Sequence, residues 1–171
     1  MSVNVSIVIR GKNEEDWLGI CLRAINKQTY KNFEIIYVDN QSSDASVKIA
    51  REYGVKKIRH IKKYLPGLAI NKGIEISEGK LVVILSAHCI PTNQYWLSSM
   101  VTSLTKKNIA GSYGRQLPLP FTSPDDARDL LITFGNEDII QKVEPFFHNA
   151  NSIIKKSVWE KINFDKNITN I

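Results

Sequence analysis

The chain has 171 residues, 43% hydrophobic and 23% charged, with a net charge of +6. That suffices for one domain with its own core and excludes disordered, collagenous and disulfide-scaffold classes. Met1-Ser2-Val3-Asn4 lacks the basic and apolar regions of a signal peptide, no run reaches the roughly 20 apolar residues of a membrane span, and Cys21 and Cys89 match no disulfide or zinc spacing. These features point to a reducing cytoplasm.

Val5-Ser6-Ile7-Val8-Ile9 is a nearly continuous β-branched run, which predicts a strand buried on both faces. From Glu14 the period changes: Trp17, Ile20, Cys21, Ala24 and Ile25 recur at helical spacing. Phe33 to Val38 reads as a second strand. Ser42, Ser43 and Asp44 are N-cap candidates for a helix carrying Val47, Ala50 and Tyr53, closed by Gly54. A short strand over 58–61, a helix over 67–77 ended by Gly79, and a strand from Leu81 to Leu85 follow. Trp96, Leu97, Met100, Val101 and Leu104 again have helical spacing.

The character changes after Gly111. Pro118, Pro120 and Pro124 mark residues 114–124 as a loop, and Ser123-Pro124-Asp125-Asp126 is a helix start, predicted to run to about Phe134. Residues 135–148 show no period, 151–155 read as a strand and 156–162 as a short helix. Strands alternating with helices predict an α/β fold, a three-layer α/β/α sandwich around a mostly parallel sheet.

In such sheets ligands bind beyond the C-terminal strand ends. Three polar clusters stand there: Arg10-Gly11-Lys12-Asn13-Glu14, Asp39-Asn40-Gln41-Ser42-Ser43 and Ser86-Ala87-His88-Cys89. Asp39 either caps its turn or accepts from a nucleobase N–H or a ribose hydroxyl. Arg10 and Lys12 are either surface charges or diphosphate ligands, Arg10 bidentately. Cys89 has no neighbouring base in the sequence and reads as a buried small residue. Neither Gly-x-Gly-x-x-Gly nor a P-loop occurs, which counts against a Rossmann dehydrogenase and a P-loop enzyme. The basic stretch Lys56, Lys57, Arg59, Lys62 and Lys63 is a solvated face, a site for anionic diphosphates or a contact for an anionic membrane. Aromatics are not interleaved with it, so nucleic acid is set aside.

Seven loose motifs in order carry a resemblance. They run from Val5–Ile9 with Asn13-Glu14, through Gln28 to Asp39, Asn71-Lys72-Gly73, Ser77-Glu78-Gly79-Lys80 and Ile90-Pro91 with Trp96-Leu97, to Asn151–Trp159 and Phe164-Asp165. Together the chain resembles family 2 glycosyltransferases, which have the GT-A fold and use nucleotide-sugar donors. The resemblance implies one domain over 1–171, with 1–113 binding the nucleotide sugar and 114–171 beginning the acceptor side. It implies donor contacts at Arg10, Gly11, Lys12, Asn13, Glu14, Asp39, Ser42, Ser86, Ala87 and His88, Asp39 holding the base.

Ser86-Ala87-His88 stands where the family has Asp-x-Asp, whose last acid holds a divalent metal. His88 therefore takes one of three roles: a ligand of Mn²⁺ or Mg²⁺, which is favoured, a direct diphosphate contact, or a hydrogen-bonded cleft residue. His148, Asn149 and Asn151 either line the sugar or acceptor pocket or form a turn entering a strand. The family's acidic pair, which supplies the general base, is expected shortly after Phe164-Asp165. The chain stops at Asn170-Ile171, which places that base beyond Ile171; Asp125, Asp126, Glu137, Asp138 and Glu144 are the carboxylates at hand. The implied activity is inverting transfer of a sugar to a hydroxyl of a growing polysaccharide or a lipid-linked acceptor (capsule or lipopolysaccharide), at the inner membrane face. The rivals are a sugar-nucleotide-binding module without transfer, a nucleotidyltransferase and an interaction domain.

Overall fold

A computed structural model describes residues 3–105, 108–143 and 146–169. Glu144 and Asn170-Ile171 lie outside the described residues. Among the described residues six strands and six helices follow one another: β1 (Val5–Gly11), α1 (Glu15–Asn26), β2 (Phe33–Asp39), α2 (Ser46–Glu52), β3 (Lys57–His60), α3 (Pro66–Glu75), β4 (Leu81–Ser86), α4 (Trp96–Ser103), β5 (Gly111–Tyr113), α5 (Pro124–Phe134), β6 (Asn151–Lys155) and α6 (Lys156–Trp159). The strand order is β3-β2-β1-β4-β6-β5. β1 to β4 pair in parallel, and β6 runs antiparallel to both β4 and β5.

Strand alternation sends side chains to two separate cores. Val5, Ile7 and Ile9 of β1 join Leu18, Leu22 and Ile25 of α1 and Leu97 of α4 on one face. Val8, with Ile36 and Ile84, meets Ala69, Ile70 and Ile74 of α3 on the other. The three-layer arrangement expected from the alternation of elements is therefore present.

At the N-terminal edge of the sheet a polar network joins β2 to β3 and the turn before β4. The Glu34 carboxylate accepts from Ser6 Oγ at 2.6 Å and the Glu78 N–H at 2.7 Å, and pairs with Lys57 Nζ at 2.8 Å. Burial alone raises the Glu34 pKa, but bonds from Lys57, Ser6 and Glu78 outweigh it and hold it below 4.5. Lys57 also meets Glu78 at 2.6 Å. One of the five basic residues read from the sequence thus has a structural task. Lys56, Arg59, Lys62 and Lys63 are exposed, Arg59 on the edge strand β3, where charge discourages pairing with other chains.

The sequence reading differs from the structure in three places. α2 begins at Ser46 behind Ala45, with no side-chain cap on Ala45. The Asp44 carboxylate instead accepts from the N–H groups of Ser46 and Glu15, both at 2.9 Å, so one acid serves the starts of two helices. Second, β5 covers Gly111–Tyr113, just ahead of the predicted loop. Three residues containing Gly and Ser carry no alternation to read. Third, α6 ends at Trp159, three residues before its expected limit.

Candidate functional site

The three clusters meet at one edge because of the register. Gly11 pairs with Asp39 across β1 and β2, and Arg10 with Ser86 across β1 and β4. The ladder continues into the loops: the Asn40 N–H donates to Gly11 O at 3.1 Å, and the Ala87 N–H to Arg10 O at 3.1 Å. Asn13 and Gln41 both have φ 54, in the left-handed region that Asn tolerates. The first two loops are tied together, Asn13 N–H to Ser42 Oγ at 3.0 Å and Ser43 N–H to Asn13 Oδ1 at 2.9 Å.

Gly11 contributes by lacking a side chain. A Cβ there would stand 2.8 Å from Glu14 Cγ, 2.9 Å from the Tyr37 hydroxyl and 3.1 Å from Ala87 Cβ. Glu14 folds back over that gap. Its main-chain N–H donates to Ser46 Oγ at 2.7 Å, and its carboxylate reaches His88 Nδ1 at 3.1 Å. His88 Nε2 lies 3.0 Å from Ser86 Oγ.

Arg10 is the outstanding charge. Its Nη2 donates to the Asn149 carbonyl at 2.9 Å, while its buried Nε has no partner among the described residues. No ion pair of Arg10 occurs among them either. Burial pulls the guanidinium pKa below its ordinary value. Removing a cation from water without an anion costs several kcal/mol, on the order of a broken buried pair. Arg10, Lys12, Glu14, Asn40, Tyr64 and His88 surround a cleft of about 230 Å³.

The Asp39 carboxylate is 1% exposed. It accepts from the Ser42 N–H at 3.3 Å and from His60 Nδ1 at 2.9 Å. His60 is the register partner of Asp39 in β3. The sequence reading did not single it out, because only the pairing of the short edge strand brings it there. Tyr64 and Gln116 were also missed, since both lie in loops with no pattern to place them.

His148 and Asn149 reach this edge from just ahead of β6. Gln116 Nε2 donates to His148 Nδ1 at 2.9 Å, so the neutral ring carries its proton on Nε2. Burial first, then the charge of Arg10, lower the His148 pKa from 6.5, which keeps the ring neutral at pH 7. Asn151 is committed to Trp96, whose Nε1 donates to its Oδ1 at 3.0 Å. Burial pushes the Cys89 thiol up to about 11 against the opposing charge of Arg10, which suits a buried residue and not a nucleophile. The carboxylates Asp125 and Asp126 sit exposed in the first turn of α5. A larger hollow of about 1010 Å³ lies by α5, β5 and α6, walled by Phe134, Ile139, Phe147 and Trp159. It is apart from the strand ends and lacks their register-aligned polar groups.

Among the described residues no three His, Cys, Asp or Glu side chains come together to hold a metal ion. The Ser86-Ala87-His88 segment nevertheless fits a cation that arrives with a ligand. A carboxylate only accepts, so Glu14 fixes the proton of the neutral His88 ring on Nδ1 and leaves a lone pair on Nε2 beside the Ser86 hydroxyl.

The fold is that of the GT-A glycosyltransferases. It superposes on a mannosyltransferase of Pyrobaculum calidifontis, solved with GDP-Man and Mn²⁺, with a TM-score of 0.73 and 18% identity over 98% of this chain and 49% of that one. The chain belongs to glycosyl transferase family 2, whose pattern matches residues 6–162. Glycosyltransferase AglE of Haloferax volcanii is 32% identical over 108 residues, 59% of this chain and 35% of that protein. The amylovoran biosynthesis glycosyltransferase AmsB of Erwinia amylovora is 34% identical over 92 residues, 50% of this chain and 31% of its own length. The chain thus spans about a third of the length of these relatives. Among the described residues no helix is long and apolar enough to cross a membrane.

Proposed function

We infer that the strand-end cleft binds a nucleotide-diphospho-sugar and serves transfer of its sugar, with inversion, to a hydroxyl of a growing polysaccharide or glycolipid. The observation that carries this reading is Arg10, a half-buried cation whose Nε is buried and unpartnered, with no carboxylate paired to it among the described residues. The missing anion is the donor diphosphate, with exposed Lys12 a second positive charge at the same cleft. Asp39 holds the base and the Asn13–Ser42 loops flank the ribose. His148, Asn149 and Asn151 face the sugar and acceptor side. A divalent ion, when bound with the diphosphate at His88, supplies charge neutralisation on the leaving group. Arg10 orients that group and offsets its growing charge from a fixed position, usually a large part of such catalysis.

The relative named for amylovoran biosynthesis supports a polysaccharide acceptor. A second reading, donor binding without transfer, draws on the acceptor side. His148 and Asn151 are engaged with Gln116 and Trp96, and no carboxylate is bonded to either among the described residues.

The test is calorimetric titration with UDP and with GDP on the chain and on Arg10→Met. Methionine removes a half-buried charge that has no ion pair among the described residues, so folding stability is expected to hold, while diphosphate affinity falls roughly 10- to 100-fold, the scale of a lost charge-assisted contact. Equal affinity in both proteins overturns the assignment of Arg10. Asp39→Asn is expected to weaken one nucleotide more than the other, which identifies the base. Release of free sugar or transfer to an added acceptor separates the enzyme from the binding module.

A further inference from the structure

We propose that Glu14 is a positioning residue that makes His88 a cation ligand and not a phosphate contact; the proposal rests on the donor-site reading above. His88 has two ring nitrogens and both are accounted for. Nδ1 faces the Glu14 carboxylate at 3.1 Å and Nε2 faces Ser86 Oγ at 3.0 Å. The carboxylate accepts only, so Nδ1 donates to it and the neutral ring presents a lone pair at Nε2, to which the Ser86 hydroxyl donates. A lone pair repels phosphate oxygens and attracts a cation. In its neutral form the ring therefore meets the diphosphate through a positive ion that takes the place of the Ser86 hydroxyl at Nε2.

Glu14 is built for this orientation. Its backbone is pinned by Ser46 Oγ at 2.7 Å, and its carbonyl accepts from Leu18 at 2.8 Å in the first turn of α1. Its side chain crosses the space that only glycine at position 11 leaves open. The Glu14 side chain is 15% exposed, whereas His88 is 58% exposed toward the cleft. That is the arrangement of a carboxylate behind a ligating imidazole, in which the outer partner fixes the tautomer and raises ligand basicity. His88 and Ser86 alone make a thin donor set among the described residues. A hard divalent ion bound there keeps diphosphate oxygens and water as its other ligands. Lys12 lines the same cleft and is the competing cation.

The experiment titrates UDP and GDP into the 171-residue chain with and without Mn²⁺, and records the spin-echo modulation of Mn²⁺ by nitrogen in the nucleotide-loaded protein. Mn²⁺ is expected to tighten binding at least 10-fold, with ¹⁴N modulation from one imidazole. His88→Ala is expected to remove both. Glu14→Ala is expected to lose 10- to 100-fold in Mn²⁺ affinity, the usual effect of removing an outer-shell partner. Glu14→Gln, whose amide oxygen still accepts from Nδ1, is expected to recover most of that loss. A merely structural role for Glu14 would leave Ala and Gln alike once melting shows both folded. Binding that ignores Mn²⁺ assigns the charge to Lys12 and Arg10, leaves the donor site standing and overturns this proposal. So does nitrogen modulation that survives in His88→Ala. If neither nucleotide binds with or without the metal, the donor-site reading itself fails.

Discussion

Leu18, Ile70 and Leu97 are each wholly buried, one on each of three helices packed against the parallel strands. α5, with 11 residues and a good apolar count, buries none. It is held by its own start and by ring edges. Ser123 Oγ accepts from the Asp126 N–H at 3.1 Å, Phe121 lies 6.0 Å from Trp17, and Phe134 lies 6.2 Å from Tyr113. The two regions show that the strand ends carrying Arg10, Asp39 and Ser86 are fixed by core packing. α5 is fixed by local chemistry, since helices of about this length are marginal without a packed face.

Substitutions test that division. Ile84→Ala, in the centre of the sheet, is expected to cost about 3–4 kcal/mol in urea unfolding, transfer plus cavity terms together. Glu34→Gln is expected to cost about 2 kcal/mol at pH 7, because it weakens bonds to a charged, part-buried carboxylate. The Glu34 pKa is depressed in the folded state, so its contribution is present above 4.5 and disappears as pH falls through the lower folded value. Wild type and variant should therefore converge in acid. Lys57 has a raised pKa, bonds from Glu34 and Glu78 outweighing desolvation, so its share is full below 10.5 and is lost in strong base. A cost that persists after acid has protonated Glu34 in the folded state rules the network out as its source.

Ser123→Ala is expected to loosen α5 by about 1 kcal/mol. Amide exchange in residues 124–134 should speed up while global melting stays put; a lowered global melting temperature means α5 folds with the sheet. Smallest of all, Ile132→Ala, 74% exposed, is expected to change stability by about 0.5 kcal/mol or less. A larger loss would mean that Ile132 is covered in solution.

The parallel half was legible because its strands are continuous β-branched runs and its helices keep a 3.6 period; Val5 to Ile9 and Leu81 to Leu85 leave little room for another reading. Ser123-Pro124-Asp125-Asp126 was equally clear, since capping is local. β5 was not, for its three residues have no period and owe their pairing to β6. At the candidate site, the polar clusters at strand ends were visible, but their partners were not. The contact between Glu14 and His88 spans 74 positions and that between Asp39 and His60 spans 21. No spacing rule encodes either pair; sheet register creates them. That Asp39 is already engaged, and that Arg10 forms no ion pair among the described residues, are facts of packing that a string of letters does not hold.

The bond between Arg10 and Asn149 joins positions 139 residues apart. On a ribosome adding about 5–20 residues each second, that separation is roughly 7–28 s of synthesis. Within that interval β2 and then β4 are made and can pair with β1, whereas the strand that brings Asn149 to the cleft comes last of these. A nascent chain therefore acquires its core well before its pocket is closed on the β6 side. The β6 wall of the cleft is added only after that strand has slotted in beside β4.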